Sequence, residues 1–172
     1  MNHHALLRHI VNSIAEWDLK MGVSHDLWLN YPLSEVEDLL GAPFTQAAQK
    51  AFCDYARPTL GEIEWVDKQD GFCRVHVPRS GVDHVKSLPV DPFLADLVAL
   101  SKDPFCTLDE VDELFARYPH EEFPLPDDAD ARVYHRVGDD LVYVFDSDDG
   151  LVEYHRLTVL RFRRLYGEQY VR

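Results

Sequence analysis

The chain has 172 residues, 46% of them hydrophobic and 12% aromatic, with 17 basic against 31 acidic side chains and a formal charge of −14. That length fits one domain or two small ones, and a chain of this size buries about 68–70% of its unfolded surface without disulfide staples. No run approaches the ~18 apolar residues of a membrane span, and the acidic balance opposes a polyanion such as nucleic acid as partner.

In chain order, Leu6, Leu7, Ile10, Ile14, Trp17 and Met21 recur at three- and four-residue steps, which predicts a first helix stopped by Gly22. A connection with Trp28, Tyr31 and Pro32 follows. Ser34 then stands three residues before Glu37, the capping-box spacing, ahead of a short helix with Val36, Leu39 and Leu40 inward and Gly41 as stop. Phe44, Ala47, Ala48, Ala51, Phe52 and Tyr55 mark a third helix, broken at Arg57-Pro58. Two strands joined at Asp70-Gly71 come next, the second closed by Pro78.

Residues 81–87 read as a short helix that Ser80 caps, and Phe93 to Leu100 as a buried one. Thr107 with Glu110 repeats the capping-box spacing before Val111, Leu114 and Phe115. The proline- and acid-rich stretch from Pro119 to Asp130 reads as an exposed loop. Three antiparallel strands are expected over 132–137, 141–146 and 151–157, and Thr158 caps a closing helix with Phe162, Leu165 and Tyr166 inward.

The expected fold is therefore α+β. Residues 1–90 form a winged-helix-like unit and residues 91–172 a helix pair with a three-stranded meander and a C-terminal helix. Leu33 to Leu40 aligns with Leu108 to Phe115, and Val66 to Gly71 with Phe145 to Gly150, in the same order, which raises an internal duplication as a hypothesis.

The run from Glu16 to Gly41, with Lys20-Met21-Gly22, Leu29-Asn30-Tyr31-Pro32-Leu33 and Leu39-Leu40-Gly41, resembles the N-terminal pattern of a small bacterial family of unknown function. Tyr154-His155-Arg156-Leu157-Thr158 resembles its C-terminal pattern. The resemblance spans most of the chain, and it implies no activity, cofactor or site.

The order helix, helix, helix, hairpin would make residues 44–57 the reading helix of a DNA-binding protein, with Gln46, Gln49, Lys50 and Arg57 as readers and Lys68 and Arg74 on the wing. Few basic groups among Asp54, Glu62, Glu64, Asp67 and Asp70 make that a weak polyanion surface. Nine histidines raise a metal or ligand site at His76, His135 and His155, all placed on strands, yet no H-x-x-x-H or H-E-x-x-H supports a metal. Ser80 with Asp83 and His84 offers nucleophile, acid and base without the G-x-S-x-G that would join them. With eight glycines and no phosphate-binding glycine motif, no cofactor is expected.

Three cysteines, Cys53, Cys73 and Cys106, without C-x-x-C spacing fit a reducing cytoplasm, and Met1-Asn2-His3-His4 opens no apolar leader. The expected function is a cytoplasmic interaction or regulatory module that binds another protein. The alternatives are an enzyme whose site pairs one of the three histidines with an acid, and a DNA-binding winged helix.

Overall fold

The computed structural model describes residues 1–67, 70–123, 131–148 and 150–167. They fall into two compact units, Met1–Asp91 and Pro92–Arg172, built from helices and two antiparallel sheets of three and four strands.

The first unit runs α1 (His3–Met21), β1 (Leu27–Pro32), α2 (Leu33–Leu40), α3 (Gln46–Leu60), β2 (Glu64–Asp67), β3 (Phe72–Val77) and α4 (Arg79–Ser87). Its strands lie in the order β1-β3-β2, all antiparallel, so the hairpin β2–β3 returns to pair with a strand that precedes the second helix. That is a winged-helix topology. Leu6, Ile10, Ile14, Val36, Leu40, Phe52, Leu60, Val75, Val77 and Val82 are fully enclosed in one core. At about 1.5–3 kcal/mol for each large apolar side chain buried, this packing outweighs any single polar contact in the unit.

Several local expectations change here. The segment 27–32 is a strand, with Leu27, Leu29 and Tyr31 buried and Trp28 and Asn30 exposed. Ser34 caps nothing: α2 begins two residues earlier than such a cap would set it, after Pro32, and Glu37 Oε1 accepts from the Phe44 N–H at 3.0 Å, tying α2 to the approach to α3. Trp17 and Met21 lie outside the buried stripe of α1, at 45% and 67% exposed. The helix does not break at Pro58, because a proline in the last turn costs one N–H bond and Gly61 N still closes on Arg57 O at 3.0 Å. Pro78, rather than Ser80, holds the N-cap place of α4.

The second unit runs α5 (Pro92–Ser101), α6 (Leu108–Ala116), β4 (His120–Glu122), β5 (Ala131–Arg136), β6 (Leu141–Asp148), β7 (Leu151–Thr158) and α7 (Val159–Tyr166). The sheet is a simple meander, β4-β5-β6-β7. It has one strand more than the sequence reading foresaw, since β4 lies within the stretch read as a loop. Tyr134, Tyr143 and Phe145 point to the side where Phe93, Leu97, Val111, Leu114 and Phe115 of α5 and α6 pack. Val133, Val142, Val144 and Leu157 occupy the opposite side with Phe162 of α7.

The aligned segments do land on like elements, α2 with α6 and one hairpin turn with the other. Yet one helix separates the segments in the first unit and two strands in the second, and only the first unit has a strand before its second helix. The two units thus carry the aligned segments in different orders of elements.

The capping box at α6 forms as expected. Thr107 Oγ1 accepts from Glu110 N at 3.3 Å, and Glu110 Oε2 accepts from Thr107 N at 2.9 Å. Thr107→Ala is expected to cost about 1 kcal/mol, read as a lower denaturant midpoint of the transition that melts α6.

Candidate functional site

The three-stranded sheet has one face on the core and one open. On the open face the register sets Trp28 opposite His76, Asn30 opposite Arg74, Glu64 opposite His76 and Val66 opposite Arg74. Three large apolar side chains stand exposed there: Trp28 at 47%, Val66 at 45% and Phe72 at 43%.

The polar groups between them are held in place. His76 Nε2 lies 2.9 Å from Asp26 Oδ2, and the His76 ring packs on Trp28 with centroids 4.6 Å apart. Asp26 Oδ1 also accepts from the Arg79 N–H at 3.0 Å. The His76 contact and that N–H hold the Asp26 carboxyl below the usual carboxylate range. A depressed folded-state value means that the stabilisation is present at neutral pH and fades as pH falls through that range.

Arg74 donates from Nε to Asn30 Oδ1 at 2.9 Å, and its guanidinium carbon sits 5.4 Å from the Trp28 ring centroid. Its partners are a neutral amide and a ring, and no carboxylate neutralises it among the described residues.

The α3 surface has a different character. Gln46 and Lys50 are exposed and Gln49 is half-buried. Arg57, however, is clamped between Asp54 at 3.0 Å and Glu62 at 2.8 Å. Lys50 is therefore the one cation of the four proposed readers that no carboxylate engages among the described residues. Lys68 lies outside the described residues.

His76 belongs to the first unit. His135 and His155 share a face of the second sheet on β5 and β7, with β6 between them. His135 Nε2 meets the Asp139 carbonyl at 2.9 Å and its Nδ1 lies 3.7 Å from Glu121, while His155 Nδ1 is 3.8 Å from Asp146. Among the described residues no cluster of three or more His, Cys, Asp or Glu side chains is placed to hold a metal ion. His76 is paired with Asp26 and packed on Trp28, and neither contact supplies a nucleophile. Burial pushes the Cys53 and Cys106 thiols up, which disfavours thiolate chemistry at either.

Sequence reasoning missed the Asp26–His76 and Asn30–Arg74 couplings, which exist only because β1 pairs with β3. It also missed a buried histidine–carboxylate contact in the first unit, His9 Nε2 to Glu35 Oε1 at 2.8 Å, with side chains 6% and 10% exposed. The signal for His9 was available, since it falls on the apolar stripe of α1 between Leu6 and Ile10.

In the second unit, buried tyrosines use carboxylates as acceptors. Tyr134 donates to Asp112, and Tyr143 donates to Asp139 Oδ2 at 3.1 Å. Burial, reinforced by those carboxylates, drives both phenols well above their ordinary value. Asp139 also receives Arg136 Nε at 3.0 Å, and Arg136 lies 4.6 Å over the Phe93 ring. These contacts tie the β5–β6 turn to the core.

The chain is thus an α+β protein with a winged-helix-topology unit, whose open sheet face presents an ordered arginine among exposed apolar side chains, followed by a unit with a four-stranded meander. It belongs to the family DUF3877, described as a domain of unknown function from E. rectale, a bacterium, whose model matches residues 3–166. No curated protein and no solved structure matches the chain. Among the described residues, no helix is long and apolar enough to cross a membrane.

Proposed function

We propose that the chain is a bacterial, cytoplasmic protein-interaction module whose docking surface is the open face of β1, β3 and β2. The single observation that carries this reading is Arg74: a guanidinium held in one direction by Asn30 and Trp28, without a carboxylate among the described residues, in the middle of Trp28, Val66 and Phe72. An exposed apolar patch centred on an oriented arginine matches the composition of interface anchors. The complementary partner is a protein surface that brings a carboxylate to Arg74 and apolar side chains to Trp28 and Phe72. Three free cysteines agree with a reducing compartment.

The nucleic-acid alternative has little electrostatic support, because Arg57 is already engaged by two acids and the chain carries −14 overall.

The test is capture of proteins from a nuclease-treated lysate of the source organism on immobilised full-length chain. A stoichiometric protein is expected on the wild type and on Arg57→Glu, and its recovery is expected to fall at least about tenfold on Arg74→Glu and on Trp28→Ser. Recovery lost with Arg57→Glu and kept with Arg74→Glu would contradict the assignment.

A further inference from the structure

The open face of the first sheet has dimensions as well as chemistry. Trp28 stands opposite His76 across the β1–β3 ladder, and Phe72 lies four residues along β3 from His76. At about 3.3 Å per strand residue, the two exposed rings are anchored about 13 Å apart along the sheet. Arg74 is midway between them. Its Nε is taken by Asn30 Oδ1 at 2.9 Å and its guanidinium carbon lies 5.4 Å from the Trp28 ring centroid. With Nε engaged, Nη1 and Nη2 remain as a fork that fits the two oxygens of one carboxylate approaching end-on. Val66 faces Arg74 from β2 and widens the apolar surface on the other side.

The main-chain hydrogen bonds of a sheet run in its plane, so a segment lying on the face receives none of them. An extended segment would dock there with part of its own backbone unpaired, whereas a helix brings its hydrogen bonds with it. The lengths agree as well. At about 1.5 Å per residue, helix positions i, i+4 and i+7 or i+8 share one side and fall at about 0, 6 and 11–12 Å, close to the spacing of Trp28, Arg74 and Phe72. A helix about 10 Å across also covers three strands set about 4.8 Å apart.

Resting on the docking face proposed above, we infer that its occupant is an amphipathic α-helix of another protein, with an apolar residue on Trp28, a carboxylate one turn on at Arg74, and a second apolar residue a further turn on at Phe72. A second copy of this chain does not fit. Among the described residues, the large apolar side chains exposed on its own helices are Trp17 and Met21 of α1, Tyr55 of α3, and Leu160 and Leu165 of α7. Trp17 and Met21 enclose Asp18, which Lys86 holds at 3.0 Å. Leu160 and Leu165 enclose Arg161, Arg163 and Arg164, the wrong charge for Arg74. Tyr55 stands singly, next to an Asp54 already bound by Arg57.

The test is fluorescence anisotropy of labelled, end-capped synthetic peptides titrated with the full chain. The first probe is an alanine-based helix of about 18 residues, long enough to be helical alone, with Leu at i and i+7 and Glu at i+4. The second has Lys in place of that Glu, and the third keeps the Glu but carries prolines that forbid the helix. Salt of about 0.15 M screens long-range attraction to a chain of charge −14. Wild type is expected to bind the Glu helix at least about tenfold more tightly than either other probe. Arg74→Glu, checked for folding by circular dichroism, is expected to reverse the preference and favour the Lys helix at least about tenfold. A proline probe that binds as well as the Glu helix, or a preference between the two helices that Arg74→Glu leaves unchanged, would overturn the inference. If no probe binds while capture from lysate still depends on Arg74, the helix assignment falls and the docking face stands. If capture is also indifferent to Arg74, both fall.

Discussion

Gly81→Ala is expected to lower the stability of the first unit by about 3 kcal/mol, the upper end of what overpacking costs, and to shift its urea midpoint accordingly. Gly81 sits in the first turn of α4 where that helix crosses the end of α3. A Cβ there would lie 2.0 Å from the Leu60 carbonyl oxygen and 2.7 Å from its carbon. The obstructing atoms are backbone, so relief requires α3 and α4 to separate, and both helices feed Leu60, Val82 and Val85 into one core. Gly41→Ala is the informative contrast. Gly41 has φ +66° and nothing within 4 Å of the added methyl, so its cost is the left-handed backbone alone, about 1–2 kcal/mol. Equal losses at the two sites would show that crowding at the α3–α4 crossing is not what requires glycine at 81.

Glu35→Ala is expected to cost about 3 kcal/mol. The carboxylate leaves α2 and reaches His9 of α1 at 2.8 Å in a site where both side chains are nearly enclosed, beside the Tyr31 ring 4.9 Å from His9. Truncating one partner strands the other as a buried polar group. Replacing both, as in His9→Leu with Glu35→Leu, is expected to recover most of the loss, because a packed apolar pair carries no desolvation cost. Urea unfolding of the two single variants and the pair forms a double-mutant cycle. Single losses under about 1 kcal/mol would mean that the contact is solvated.

The helices of both units were legible because their apolar residues recur at helical spacing, and the β2–β3 turn because Asp70-Gly71 is a turn signal with a physical basis. β1 was not. Its inward residues Leu27, Leu29 and Tyr31 alternate cleanly, but the outward Trp28 is as apolar as its neighbours, so the period of two is masked by the very residue that makes the face sticky. β4 was hidden because three residues beside prolines carry too little pattern, and their strand character comes from pairing with Tyr134, His135 and Arg136. Ser34 looked like a cap because spacing alone cannot tell which residue ends the preceding strand. Arg57 looked like a reader of DNA for a similar reason. Its neutralisers, Asp54 one turn earlier and Glu62 beyond the helix, converge only once the chain turns at Gly61. Of the candidate surface, Arg74 and His76 were singled out from composition, but the groups that orient them, Asn30 and Asp26, come from 44 and 50 residues away.

The measurement that bears most directly on the docking surface is hydroxyl-radical footprinting of the full chain, alone and in the complex recovered from lysate. Trp28 and Phe72 are expected to lose reactivity in the complex, while Tyr55, 44% exposed on α3, and Trp17 on α1 keep theirs. Protection of Tyr55 with Trp28 and Phe72 unchanged would place the partner on α3 and contradict the account.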